Sequence, residues 1–347
     1  MTVSNLKPLL LLILFSLLFG CSRSPQYQLE DYLDRIARVT EISKPAATPI
    51  PMQRHSVTLN AEAITTGNIG LLDFLKISHC RYGKAVAHKN SQLGKVAAYS
   101  QQMHTERDML IMAPECIAAL LKESPQLADK LSASLNDKTK QRMLFWWNAW
   151  FASKEWQSFI SPANTGIEFS DRDSPEPAHL SLSLQALDYA IHQGENWQQQ
   201  EYPYSSTEME FQLQQLLLGE SLGKWLRSMQ LLTDAMQRAE SILQQSLAKG
   251  GLCPHGRGNK KADIMHNVFV NIYAGRFQPY LSRVHRFGNR LIPRLETIAT
   301  MGSNKAFKQW LQDIKQRKAA MEAMNLKHVK AWQATLAQCG QKAGFPA

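Results

Sequence analysis

Apolar positions along the chain recur every three or four residues, and nowhere does a convincing run alternate with polar ones. From Gln28 to Ile42 the apolar Tyr32, Ile36 and Val39 keep helical spacing behind the acidic Glu30 and Asp31. Pro45, Pro49 and Pro51 then predict an extended connector, which either holds the body off what precedes it or turns back against it. Helical patterning resumes at Asn68: Leu71–Leu75 leads to His79 and Cys80, Ser91–Met112 forms a second segment, and Ile117–Leu121 continues a third. Asp137 reads as the cap of a helix running to about Ile160, where Ser161 and Pro162 stop it. After a loop over 161–177 comes a helix from about Ala178 to Gly194. Ser205 and Glu208 have capping-box spacing. Beyond them Leu218, Leu222, Trp225, Met229, Leu232, Met236, Ala239 and Leu243 alternate by four and three. That is one apolar stripe on a long helix, bending at Gly219 and Gly223 and ended by Lys249-Gly250-Gly251. A further segment covers Asp263–Thr300, interrupted near Gly275–Pro279 and at Pro293; the last runs from a cap at Ser303 or Asn304 to Gly340. No internal repeat appears. The predicted class is all-α, a multi-helix bundle-like domain.

Composition agrees. The chain of 347 residues is 44% hydrophobic and 20% charged, which excludes long-range disorder and low-complexity architectures. Its net charge of +10 is unevenly spread. Residues 151–250 carry 6 basic and 13 acidic side chains, whereas residues 251–347 carry 16 basic and 4 acidic ones.

The start of the chain changes the picture most. Lys7 precedes the apolar run Leu9–Phe19, an n-region and h-region too short to span a bilayer as a helix. Leu18-Phe19-Gly20-Cys21 resembles the lipobox of bacterial lipoproteins. The resemblance implies cleavage after Gly20, acylation of Cys21 and stable anchoring by several chains. Ser22, where an aspartate would signal inner-membrane retention in such families, implies the outer membrane, facing the periplasm. The expected organisation is a leader over 1–20, a lipidated N-terminus with a short helix and proline connector over 21–56, and a helical domain over 57–347.

Export leaves Cys80, Cys116, Cys253 and Cys339 in an oxidising compartment. Four cysteines allow three connectivities. We favour Cys80–Cys116 with Cys253–Cys339, each pair stapling a local helical unit, over buried free thiols.

Three stretches are candidate binding features. Met143–Ala152 is apolar at nine of ten positions, so Trp146, Trp147 and Trp150 belong either to the central helix of a bundle or to an aromatic groove for a partner helix or glycan. His255, Arg257, Lys260 and Lys261 surround two glycines just before a helix. They read either as an anion or surface-binding site or as a solvated tethered loop. Glu168, Asp171, Asp173 and Glu176 gather four carboxylates in a long loop, solvated or paired for glycan cleavage. No CxxC, HExxH, zinc spacing, Walker A loop or GxSxG elbow occurs, so the sequence nominates no metal, cofactor or nucleophile.

At Asp31–Arg35, Leu71–Leu75, Cys80, Asn90–Lys95, Cys116 and Gln278–Leu281 the chain resembles a family of Gram-negative lipoproteins catalogued as a domain of unknown function. The resemblance implies one lipoprotein body and brings no activity. The expected role is non-enzymatic binding or scaffolding at the envelope, without cofactor or nucleic acid. Its partner would be an envelope protein or the anionic envelope surface. The alternatives are a glycan- or peptidoglycan-acting enzyme using the 168–176 carboxylates, and a carrier of anionic lipid.

Overall fold

The computed structural model describes residues 24–47, 59–65, 67, 69–169, 175–203 and 205–342. Among them every regular element is helical, and the all-α expectation holds. Cys21, Asp171 and Asp173 lie outside the described residues.

Helix α1, Pro25–Thr40, starts where the Ser24 side chain accepts the Tyr27 amide at 3.2 Å with proline in the first turn. It buries Leu29, Tyr32, Leu33 and Ile36, the i, i+3, i+4, i+7 set of one helix face. Of the two readings of the proline stretch, its described beginning turns back. The Pro45 carbonyl accepts from Arg238 at 3.1 Å, and Glu30 pairs with both Arg238 and Lys44.

A smaller unit follows, made of α2 (Leu71–Ile77), α3 (Arg81–Asn90), α4 (Gln92–Lys95), α5 (Tyr99–Glu123) and α6 (Pro125–Lys140). It has its own apolar cluster around Ile77, Tyr82, Val86, Met109, Leu120 and Leu131. The Cys80–Cys116 disulfide clips α3 to α5 across a separation of 36 residues. Glu106 of α5 is 2% exposed and receives Lys89 from α3 and Lys138 from α6, a buried ion cluster tying three helices together.

Asp137 is not a cap. It sits inside α6, and the break falls at Gln141, whose amide bonds Thr65 through both its oxygen (2.7 Å) and its nitrogen (3.1 Å). The expected single helix to Ile160 is therefore α7 (Arg142–Phe151) and α8 (Lys154–Ile160), with Ser153 capping the second. Every residue from Phe145 to Phe151 is buried. The Trp146 and Trp150 indoles donate to the Ala190 carbonyl (2.9 Å) and to Gln193 (2.6 Å) of α9, Ala178–Gln198. This is the central helix of the body.

The long stripe is also split. Helix α10 (Ser206–Gly219) ends at Glu220, which takes a left-handed φ of 46°, and α11 (Ser221–Ala248) begins there. From Leu222 to Leu243 the stripe is buried as its periodicity predicts, but Leu218, beyond the break, is 70% exposed. Gly223 is required for packing, since a Cβ there would lie 1.9 Å from the Ser161 carbonyl oxygen.

The expected interruptions at Gly275–Pro279 and Pro293 do not occur. Helix α12 (Lys260–Asn267) passes through a π-helical stretch, Val268–Phe277, into α13 (Gln278–Met301) without a gap. Pro279 lies in the first turn of α13. The wider turn before it, closed by the Gln278 amide on the Tyr273 carbonyl, carries the chain past a residue that cannot donate. Pro293 sits mid-helix between buried Phe287, Leu291, Leu295 and Ile298. Four such side chains, at roughly 1.5–3 kcal/mol each, outweigh a proline penalty of about 3 kcal/mol.

The last helix, α14 (Lys305–Ala337), is capped by Asn304 as expected and packs most extensively on α11. Cys339 at its end joins Cys253, closing the second sequential disulfide across 86 residues.

Candidate functional site

Helices α13 and α14 do not close fully over the π-helical stretch. A hollow of about 610 Å³ remains, with Tyr273, Leu281, Met321 and Val329 as its apolar lining. Ser282 and His285 reach it from one face of α13. Glu322, Asn325 and Val329, spaced i, i+3 and i+7, reach it from α14. Asn289 Nδ2 meets His285 Nδ1 at 3.2 Å, which makes Nε2 the protonated nitrogen. That N–H donates to Glu322 Oε1 at 2.7 Å. Lys318 donates to the same carboxylate oxygen. Burial opposes the Glu322 charge, but the hydrogen bonds from Lys318 and His285 prevail and hold its carboxyl below the usual range. Asn325 Oδ1 is buried without a hydrogen-bond donor. Such an atom marks a place where a donor on a ligand is rewarded.

Both ring nitrogens of His285 are occupied, so neither is free to activate the neighbouring Ser282. The arrangement can bind through hydrogen bonds and apolar contact. It does not assemble a nucleophile with a base.

Behind Tyr273 lies a fully buried polar chain. Trp332 Nε1 donates to Tyr32 Oη (2.7 Å), which in turn donates to His328 Nε2 (2.7 Å). The tautomer is thereby fixed with a proton on Nδ1, an atom left buried without a partner. Burial pushes His328 down to about 3 and the Tyr32 hydroxyl well above its ordinary value. Burial also raises Tyr273 to about 12, so all three groups are neutral at physiological pH. Tyr273 packs against His328 and Trp332 with ring centroids 5.0 and 5.9 Å away.

Of the hollow's residues the sequence singled out Gln278 and Leu281 alone, within a family-like stretch and with no chemistry attached. The available signal was polar Glu322 and Asn325 at three-four spacing among Met321 and Val329, on a helix whose neighbouring face is apolar.

The residues nominated from sequence lie elsewhere. Trp146, Trp147 and Trp150 are 0–2% exposed and form no groove, because α9 and the Phe307 end of α14 cover them. The loop carrying His255, Arg257, Lys260 and Lys261 is exposed. Its helix start is capped from within, Asn259 accepting the Ala262 amide at 3.0 Å, and Lys261 pairs with Glu41. Gly250, Gly251 and Gly256 there all take positive φ. Gly251 also faces Gln338, whose oxygen accepts the Leu252 amide and would meet an added Cβ at 1.9 Å. The glycines thus serve turn geometry and close packing. Glu168 and Glu176 are each engaged in ion pairs: the first lies by Lys224 and His179, the second pairs with Arg290. Among the described residues no group of three or more His, Cys, Asp or Glu side chains could hold a metal ion. Nor is any described helix long and apolar enough to cross a membrane.

The family model described as a protein of unknown function, DUF3080, matches residues 29–343. No curated protein and no solved structure gives a significant match to the chain.

Proposed function

The chain belongs to the DUF3080 family, and from its geometry we propose that it is a lipid-anchored binding protein of the cell envelope whose ligand enters the hollow between α13 and α14. The observation that carries the binding half is the unpartnered Asn325 Oδ1 inside a hollow with aromatic and aliphatic walls. A ligand suited to it is small and amphipathic, with an amide or hydroxyl donor for Asn325 and an apolar portion for Tyr273, Met321 and Val329. The anchoring half is supported by the lipobox at Leu18–Cys21. Only Ser22, Arg23 and Ser24 separate Cys21 from α1, at most about 14 Å of extended chain, so an acylated Cys21 would hold the body close against the bilayer. We infer outer-membrane attachment facing the periplasm.

Native mass spectrometry of the full chain extracted from envelope membranes tests both halves. The expected result is acyl mass on Cys21, absent from Cys21→Ser, and a small molecule lost from the double variant Asn325→Leu, Val329→Trp. Unmodified Cys21 refutes the anchor. Equal small-molecule occupancy in both chains refutes the hollow.

The glycan-enzyme reading gains nothing from Glu168 and Glu176, each of which is taken up by an ion pair of its own. The lipid-carrier reading needs an apolar interior cavity, whereas the body's interior is filled by Trp146, Trp150, Trp156, Trp197 and Trp225.

A further inference from the structure

We propose that the outer face of α2–α4 is a docking surface for anionic phospholipid headgroups at a membrane surface. The face is strongly apolar where it should be solvated. Leu71, Leu72, Leu75, Leu93 and Val96 are 75%, 76%, 57%, 79% and 80% exposed. Single exposed leucines are ordinary, but five large side chains from adjoining short helices are a patch.

The five come from the consecutive short elements α2–α4, namely from α2 and from α4 with its C-cap Val96. Helices α2 and α3 are joined by Ser78–Cys80, and Leu71 and Asn90, at the far ends of the pair, line one small hollow with Phe74 and Val86. The hairpin is therefore antiparallel, and α4 begins two residues beyond Asn90. Turned inward, Ile77, Tyr82 and Val86 belong to the small unit's core, so the exposed leucines are a second apolar face on an element that already has one.

Charge selects the occupant. Residues 63–105 contain five Lys or Arg and a single acidic residue, Asp73, which Lys130 engages at 3.2 Å. Lys89 is taken by Glu106. The remaining Lys76, Arg81, Lys84 and Lys95 are exposed and enter none of the ion pairs among the described residues. Lys76 shares the outer arc of α2 with Leu72 and Leu75, and Arg81 and Lys84 share one face of α3 at i, i+3 spacing. Leucines among cations, with no free carboxylate between them, match the boundary between acyl chains and anionic headgroups. The Cys80–Cys116 bond holds the hairpin to α5, so the face is presented without ordering on contact.

The test is co-sedimentation of the chain from Ser22 onward, which lacks any acyl group, with vesicles of phosphatidylcholine alone or of phosphatidylcholine with phosphatidylglycerol. Binding to the anionic vesicles alone is expected, weakened about fivefold for each of Lys76, Arg81, Lys84 and Lys95 replaced by Gln. It should fall at least tenfold in Leu71→Ser, Leu72→Ser, Leu93→Ser, whose positions are exposed enough to leave the fold intact by circular dichroism. No binding of the unaltered chain to anionic vesicles overturns the proposal. So does binding that the leucine variant retains, which would make the face a charge-only contact for an acidic protein. An Asn325→Leu, Val329→Trp chain, altered only in the α13–α14 hollow, should bind the vesicles as the parent does; weakened binding would place the contact at that hollow and overturn the proposal.

Discussion

Burial of a neutral His328 makes this fold acid-labile. Its ring is fully buried, accepts from Tyr32 and is held neutral, with its pKa down at about 3 against 6.5 for an unhindered imidazole. Because the folded-state value is depressed, the unfolded chain binds a proton that the folded chain refuses between these two values. The stabilisation is complete above pH 6.5 and is lost as pH falls toward 3. Each pH unit inside that window corresponds to about 1.4 kcal/mol, so moving from pH 7 to 4.5 removes about 2–3 kcal/mol through this residue alone. The assay is urea unfolding, with disulfides kept oxidised, at both pH values for the parent chain and for His328→Phe. Phenylalanine keeps a ring against Tyr32, Tyr273 and Phe277 but leaves the Tyr32 hydroxyl without an acceptor, at a cost of about 1–3 kcal/mol at pH 7. At pH 4.5 the gap between the two chains should close or reverse, by about 2–3 kcal/mol, while carboxylates elsewhere cancel in the comparison. A gap that stays constant within about 0.5 kcal/mol would refute a neutral, proton-refusing His328.

Replacing Cys253 and Cys339 by Ser should lower stability by about 4.6 kcal/mol, and replacing Cys80 and Cys116 by about 3.8 kcal/mol, from loop separations of 86 and 36 residues. Denaturant midpoints under oxidising conditions check this; a larger loss at the shorter loop would move the effect from the unfolded chain to native contacts. Glu106→Gln should cost about 3–5 kcal/mol in chemical denaturation, because Lys138, 8% exposed, keeps its charge without a partner. The pair Glu106→Met, Lys138→Met should recover much of that loss, and a double variant as unstable as Glu106→Gln would contradict it.

How much of this was written in the sequence depends on how local each cause is. The Leu222–Leu243 stripe was legible because burial of one helix face is a local period. Its break at Glu220 was not, because the four-three alternation runs on through Gly219 to Leu218 while the backbone turns left-handed. The end of α6 was misplaced for the opposite reason: Gln141 is fixed by Thr65, a residue 76 positions away. Prolines were over-read at Pro279 and Pro293, where a wider turn and buried flanking leucines absorb what an isolated helix could not. The sequential disulfides were legible because both pairs staple neighbouring helices. The hollow was illegible because His285 meets Glu322 across 37 residues and Asn325 matters only through a partner it lacks. Trp146, Trp147 and Trp150 were correctly placed on an all-round apolar helix, and only their burial excluded a groove.

Helix α1 finds its partners far down the chain: Tyr32 is received by Trp332 after 300 residues, and Glu30 by Arg238 after 208. A polypeptide appears from its N-terminus, at about 5–20 residues per second during synthesis. Tyr32 therefore waits about 15–60 s for Trp332, while the rest of the α1 face waits for α11, its main neighbour. During that interval one turn after another of apolar surface stands open to solvent, a natural target for a holdase. A nonsense codon before α11 would strand the first helix as well as remove the last, and one between α11 and Trp332 would still leave Tyr32 without its donor, so the earliest part of this molecule is among the final parts to be finished.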